Sequence, residues 1–175
     1  MRSTRALLTS AAIGALAGLL VVALTPLTSL LAVTSPALYA LVASIHMLGP
    51  LVAAAWLARP GAATLTALVS GLVALPLTTL GPLLVLALVI PAAVMDLALA
   101  ALGHRARSGP WLVAAVVGAL VMSAITIPVI DARVLSPVLV MLVVAARLVA
   151  FIGVALGARL VARRLGAVGI RPSPR

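Results

Sequence analysis

Apolar residues run along this chain in six stretches, and the polar positions fall almost entirely between them. A membrane-spanning helix needs about 20 consecutive, mainly apolar residues. Residues 6–24, 37–57, 83–102, 111–130 and 138–161 meet that need, and residues 62–77 form a shorter stretch expected to tilt or to stop below the surface. Each of the last five is introduced by a small or charged residue and a proline: Ser35-Pro36, Arg59-Pro60, Gly81-Pro82, Gly109-Pro110 and Ser136-Pro137. Proline suits a helix start because its ring presets φ and the N–H it lacks would have no partner there. The pattern therefore predicts an all-α integral membrane protein of six transmembrane helices, one domain over residues 1–175 with a basic tail at 162–175.

The first stretch has a second reading as a secretory signal peptide, since Arg2 and Arg5 precede it. It is long for an h-region of about 7–15 residues, and no convincing small-x-small cleavage site follows. A retained first span is the expectation.

Charge adds orientation. Arg2 and Arg5 precede span one, Arg59 follows span two, Arg105 and Arg107 follow span four, and Arg159, Arg163, Arg164, Arg171 and Arg175 end the chain. Only Arg133, beside Asp131, falls on the other side. Cytoplasmic loops carry the Lys/Arg excess, so both termini are expected to be cytoplasmic. The net charge of +10 follows from that topology, which argues against nucleic-acid binding and for contact with anionic lipid headgroups in the bilayer. A chain 65% hydrophobic is no ordinary soluble domain. Without cysteine there are no disulfides, thiolate metal sites or thiol nucleophiles.

Few groups in the spans are able to do chemistry: His46 in span two, Asp96 in span four, Asp131 at the outer end of span five and Arg147 in span six. Ionisable residues inside a membrane are costly, so each needs a partner or a purpose. Asp96 and Arg147 lie on helices running the same way, and their pairing is the first structural expectation, as a packing latch or as part of a ligand site. His46 either contacts a ligand or bonds a carbonyl freed by Pro50. Pro91, just before Asp96, is expected to kink span four. Tyr39 sits at the outer end of span two, while Trp56 and Trp111 sit at inner ends as interfacial anchors. Ala11 with Ala15, and Gly14 with Gly18, form small-xxx-small faces that let helices approach closely; packing against another span of the same chain is the simpler use.

No catalytic set can be assembled from two aspartates at opposite membrane levels, no glutamate and His104 in a connection. There is no phosphate-binding loop and no haem or metal ligand set, so the chain is expected to be no enzyme and to hold no cofactor.

The segment Leu57-Ala58-Arg59-Pro60-Gly61-Ala62-Ala63, then Gly81-Pro82 and Asp96, resembles the YkoE group of substrate-binding S components of energy-coupling factor transporters. So do Met141-Leu142-Val143-Val144-Ala145-Ala146-Arg147-Leu148 and Gly166-Ala167-Val168-Gly169-Ile170. The resemblance implies a six-helix S component in a bacterial cytoplasmic membrane, both termini inside, that captures thiamine or its hydroxymethylpyrimidine precursor from outside. It implies as partners a transmembrane coupling subunit and two cytosolic ATPases, with the small-residue face of the first helix at Ala11 and Ala15 docking the coupling subunit. The pocket would open beneath the connection at residues 25–35. Candidate binding residues are Tyr39, His46, Thr78, Thr79, Asp131 and Arg147. With only two tryptophans, one tyrosine and one phenylalanine, the ligand is held through apolar groups, backbone and hydroxyls, or is a less polar vitamin. A non-transport membrane scaffold is the alternative.

Overall fold

A computed structural model of the protein describes residues 4–78, 81–102, 108–129 and 136–167. Helix α1 covers Thr4–Thr34. The second span is α2, Pro36–Ala43, a 3-10 turn at Ser44–Met47, and α3, Leu48–Leu57. Then come α4, Ala62–Ala74, with a 3-10 end at Leu75–Leu77, and α5, Pro82–Ala101. Helix α6 covers Ser108–Thr126, and α7 covers Pro137–Ala167. Five of the spans are long and apolar enough to cross a membrane, and Ala62–Leu77 is the shorter sixth.

The helices alternate in direction, so Arg5, Arg59, Arg159, Arg163 and Arg164 gather at one end of the bundle, here the arginine end. Around the bundle the contacts close a ring in the order α1, α4, α5, α6, α7 and the α2–α3 span, which returns to α1. Small residues set the close approaches. A Cβ on Gly14 would lie 2.8 Å from the Thr66 carbonyl oxygen and from Val69 Cβ, and one on Gly18 would lie 2.8 Å from Val73 Cβ. Thr66, fully buried, donates its hydroxyl to the Ser10 carbonyl at 3.2 Å across the same seam. In lipid, where apolar contact is available everywhere, such small-residue seams supply the specific packing between helices. Exposed leucines such as Leu16, Leu97 and Leu160 cover the outside, as expected of a surface that faces hydrocarbon.

Three boundaries differ from the sequence pattern. Helix α1 runs on through Pro26 to Thr34, so residues 25–34 are helix where a connection was expected. Pro26 frees a carbonyl, but unpaired backbone is costlier in hydrocarbon than a local distortion, and Thr25 and Thr28 hydroxyls bond Val21 and Leu24 carbonyls along the helix. At 31 residues it is about 46 Å long. Pro60 does not start a helix: Ala58, at φ 49°, closes α3, and Gly61, at φ 81°, precedes α4. Two left-handed residues reverse the chain in four positions, and the helix resumes at Ala62. Pro110 lies inside the first turn of α6, which begins at Ser108. The starts at Pro36, Pro82 and Pro137 are as the sequence predicts; Ser136 Oγ accepts the Leu139 N–H at 3.1 Å as an N-cap.

Trp111 is no interfacial anchor. It is fully buried and donates its indole N–H to the Ala155 carbonyl at 3.1 Å, tying α6 to α7. Trp56 is half-buried.

Candidate substrate site

Helix α7 carries its buried residues, Val143, Arg147, Phe151, Ala155 and Ala158, at intervals of three or four, one stripe of the helix. Arg147 therefore points into the bundle, and it is 0% exposed. Its Nη2 donates to Thr126 Oγ1 at 3.0 Å. The Thr126 hydroxyl in turn donates to the Met122 carbonyl at 2.9 Å, as a hydroxyl can both give and accept. The Tyr39 ring centre lies 5.6 Å from Arg147 Cζ, within cation–π range. Arg147 Nε and Nη1 have no hydrogen-bond partner.

His46 reaches the same region because the second span changes its winding there. Pro50 has no N–H to offer the His46 carbonyl, and residues Ser44–Met47 tighten to a 3-10 turn closed by Leu48 N–H to the Ile45 carbonyl. That turn packs against α7, the helix that carries Arg147. His46 is 6% exposed and its Nε2 has no partner. Nearby hydroxyls are satisfied locally: Ser44 donates to the Ala40 carbonyl at 2.7 Å and Ser123 to the Ala119 carbonyl at 2.9 Å. Three spans thus bring Tyr39, His46, Thr126 and Arg147 toward one region, with two polar side chains incompletely satisfied in the interior.

The expected pair of Asp96 and Arg147 is replaced by two separate arrangements. Asp96 Oδ2 accepts both the backbone N–H and the hydroxyl of Thr64, each at 2.9 Å, capping the first turn of α4 from a neighbouring helix. The cause is depth and rotation. Met95 and Phe151 share a level, since both would meet a Cβ on Gly118. Arg147 lies one turn from Phe151 toward the far end and Asp96 one residue from Met95 toward the arginine end, a separation of about 7 Å along the axis. Helix α6 also stands between α5 and α7 in the ring.

The small-residue face is likewise divided. Gly14 and Gly18 are covered by α4 and are not free to meet a partner helix; Ala11 and Ala15 remain half-buried at the margin of that seam. Thr78 is extended, with a buried and unpartnered Oγ1, at the turn between α4 and α5. Thr79 and Asp131 lie outside the described residues. A cavity of about 60 Å³ opens at the arginine end between α1 and the α3–α4 turn, lined by Ser10, Leu57, Arg59, Gly61 and Leu65 among others; it is remote from Arg147. Sequence reasoning missed Thr64 and Thr126, because a threonine in an apolar helix carries no signal until its neighbours are known.

Among solved structures, a crystal structure of an S-component of an ECF transporter matches with a TM-score of 0.87 over 97% of this chain and 88% of that chain, at 18% identity. Fold and apolar surface together define a multi-pass membrane protein with the S-component fold. A family model described as the permease component of an ABC-type cobalt transport system matches residues 5–122, and the chain belongs to that family. A search of curated proteins finds no match.

Proposed function

We propose that the protein is the substrate-capture subunit of an energy-coupling factor importer, binding a small vitamin-like molecule among Tyr39, His46, Thr126 and Arg147. The supporting observation is a buried arginine with unpartnered nitrogens in the half of an S-component fold away from the arginine end. A site with unsatisfied donors and an aromatic wall suits a small polar ligand. The arginine distribution supports cytoplasmic termini, and on that reading this half faces outward. Delivery then rests on a membrane coupling subunit and two cytosolic ATPases, with Ala11 and Ala15 as the contact left available on α1. The protein itself performs no chemistry on its ligand.

The YkoE-like segments nominate thiamine or hydroxymethylpyrimidine. Of the two, the neutral pyrimidine, with ring nitrogens and a hydroxyl that accept hydrogen bonds, suits a guanidinium better than the thiazolium cation does. The family description raises cobalt as a second reading. Against a bare cobalt ion, no group of three or more His, Cys, Asp or Glu is placed to hold a metal among the described residues, and Arg147 would repel a cation.

The test is thermal shift and calorimetry of the purified protein in nanodiscs against thiamine, hydroxymethylpyrimidine, other vitamins and cobalt(II). Saturable binding of one organic compound, weakened in Tyr39→Ala, supports capture of that compound. Saturable binding of cobalt(II) alone supports the second reading. A folded protein that binds none of them is the result expected of a membrane scaffold.

A further inference from the structure

Arg147 is the most buried charge described, and it is incompletely matched. Of a guanidinium's five N–H groups, the one on Nε and the two on Nη1 have no partner, and the residue is 0% exposed. Nη2 donates to the neutral Thr126 hydroxyl, and the Tyr39 side chain, also neutral, lies beside the guanidinium. Neither titratable neighbour described, Tyr39 or His46, is a carboxylate, and His46 has an unpartnered Nε2 of its own. The described carboxylate, Asp96, is engaged with Thr64 on another face of the bundle. A buried ion without counter-charge is costly to keep, and a structural latch would be served as well by an uncharged side chain. The arrangement is what remains when the counter-charge arrives from outside.

Resting on the capture reading above, we infer that Arg147 is a charge filter: the ligand turns an anionic group, or failing that its strongest neutral acceptor, toward Nε and Nη1, and cationic ligands are rejected. Charge-assisted hydrogen bonds are about twice as strong as neutral ones and gain further from a water-poor setting. Tyr39 flanks the guanidinium, its ring centre 5.6 Å from Cζ, so the ligand approaches from the side Tyr39 leaves open. His46 Nε2 is the second polar contact, and Thr126 sets the orientation of Arg147 without contributing charge.

Two measurements on the full-length protein in nanodiscs test this. The first needs no ligand. Replacing Arg147 by methionine, unbranched and uncharged, leaves the Thr126 hydroxyl engaged with the Met122 carbonyl. The filter predicts that Arg147→Met melts at least about 2 °C higher than the parent; a lower melting temperature, with Arg147→Lys also lowered, identifies a latch and overturns the inference. The second compares one aminopyrimidine ring carrying a carboxylate, a hydroxymethyl or an aminomethyl group. The carboxylate is expected to bind at least about tenfold tighter than the alcohol, the aminomethyl compound at least about tenfold weaker, one charge-assisted hydrogen bond being worth that factor or more. In Arg147→Met the three are expected within about threefold of one another, while Arg147→Lys keeps the order. Binding in a flat or reversed order overturns the charge filter and leaves the capture site standing. Binding by none of the three, from folded protein, overturns the pyrimidine site and the filter together.

Discussion

Asp96 on α5 holds the first turn of α4 by accepting both the backbone N–H and the hydroxyl of Thr64 on a single oxygen, at 2.9 Å each. Helix starts leave N–H groups without intrahelical partners, and an anionic acceptor there also meets the positive end of the helix dipole. The cap that α4 lacks in its own sequence, where Gly61 supplies no side chain, is thus provided by a neighbour. Asp96→Ala is expected to lower unfolding stability by about 2–3 kcal/mol, the scale of hydrogen bonds to a charged acceptor, since two donors of Thr64 lose theirs. Asp96→Asn, which keeps an acceptor, is expected to lose less, and Thr64→Val about 1 kcal/mol. Denaturant titration in detergent, read by circular dichroism, ranks the three.

The seam between α1 and α4 makes a contrasting pair of predictions. Leucine at Gly14 or Gly18 meets backbone and Cβ atoms at 2.8–2.9 Å, which cannot yield without separating the helices, so folded yield in gel filtration is expected to collapse. Leucine at the half-buried Ala11 or Ala15 is expected to keep the fold and to weaken only co-purification with a coupling subunit.

Ala58 holds a left-handed conformation, φ 49°, at a position where a Cβ costs about 1–2 kcal/mol. Ala58→Gly is expected to stabilise the protein by about 1 kcal/mol, less the entropy that glycine adds to the unfolded chain. A rise in melting temperature checks it.

Trp111 and Trp56 should report different surroundings. Trp111→Phe removes the hydrogen bond to the Ala155 carbonyl and is expected to cost about 1–3 kcal/mol, since an acceptor is left buried. The emission it removes is expected to be the blue-shifted, poorly quenched part, leaving the half-buried Trp56.

The chain has no native cysteine, so single reporters read topology directly. Thr34→Cys, at the exposed end of α1, is expected to react with an impermeant maleimide in intact cells, and Arg164→Cys, near the end of α7, only after permeabilisation. The reverse pattern would invert the bundle and place the Arg147 half inside.

Much of the fold is legible along the chain, and much less of the site. The six apolar stretches and the helix starts at Pro36, Pro82 and Pro137 follow from local chemistry: a ring that fixes φ, and a backbone that must satisfy itself in lipid. The proline rule misled at Pro60, where a left-handed turn moves the helix start to Ala62, and the connection expected at residues 25–35 is largely a continuation of α1 to Thr34. Tyr39, His46 and Arg147 stood out because polar groups are rare in such a chain. Their actual company did not, for Asp96 was the obvious partner for Arg147 and Thr126 had no visible claim.

What the sequence determined by itself, then, is how many times the chain crosses the bundle and which side chains have chemistry to offer. Those are properties of composition and of one-dimensional spacing. Which of those side chains meet was decided only in three dimensions. An apolar helix with little amphipathicity carries no code for its own rotation, and the depth of a residue depends on tilt and register. Only close contacts such as Gly14 and Gly18 against α4, Trp111 against Ala155 and Gly118 against Met95 and Phe151 set those angles. In doing so they bring Arg147 to Thr126 and Asp96 to Thr64.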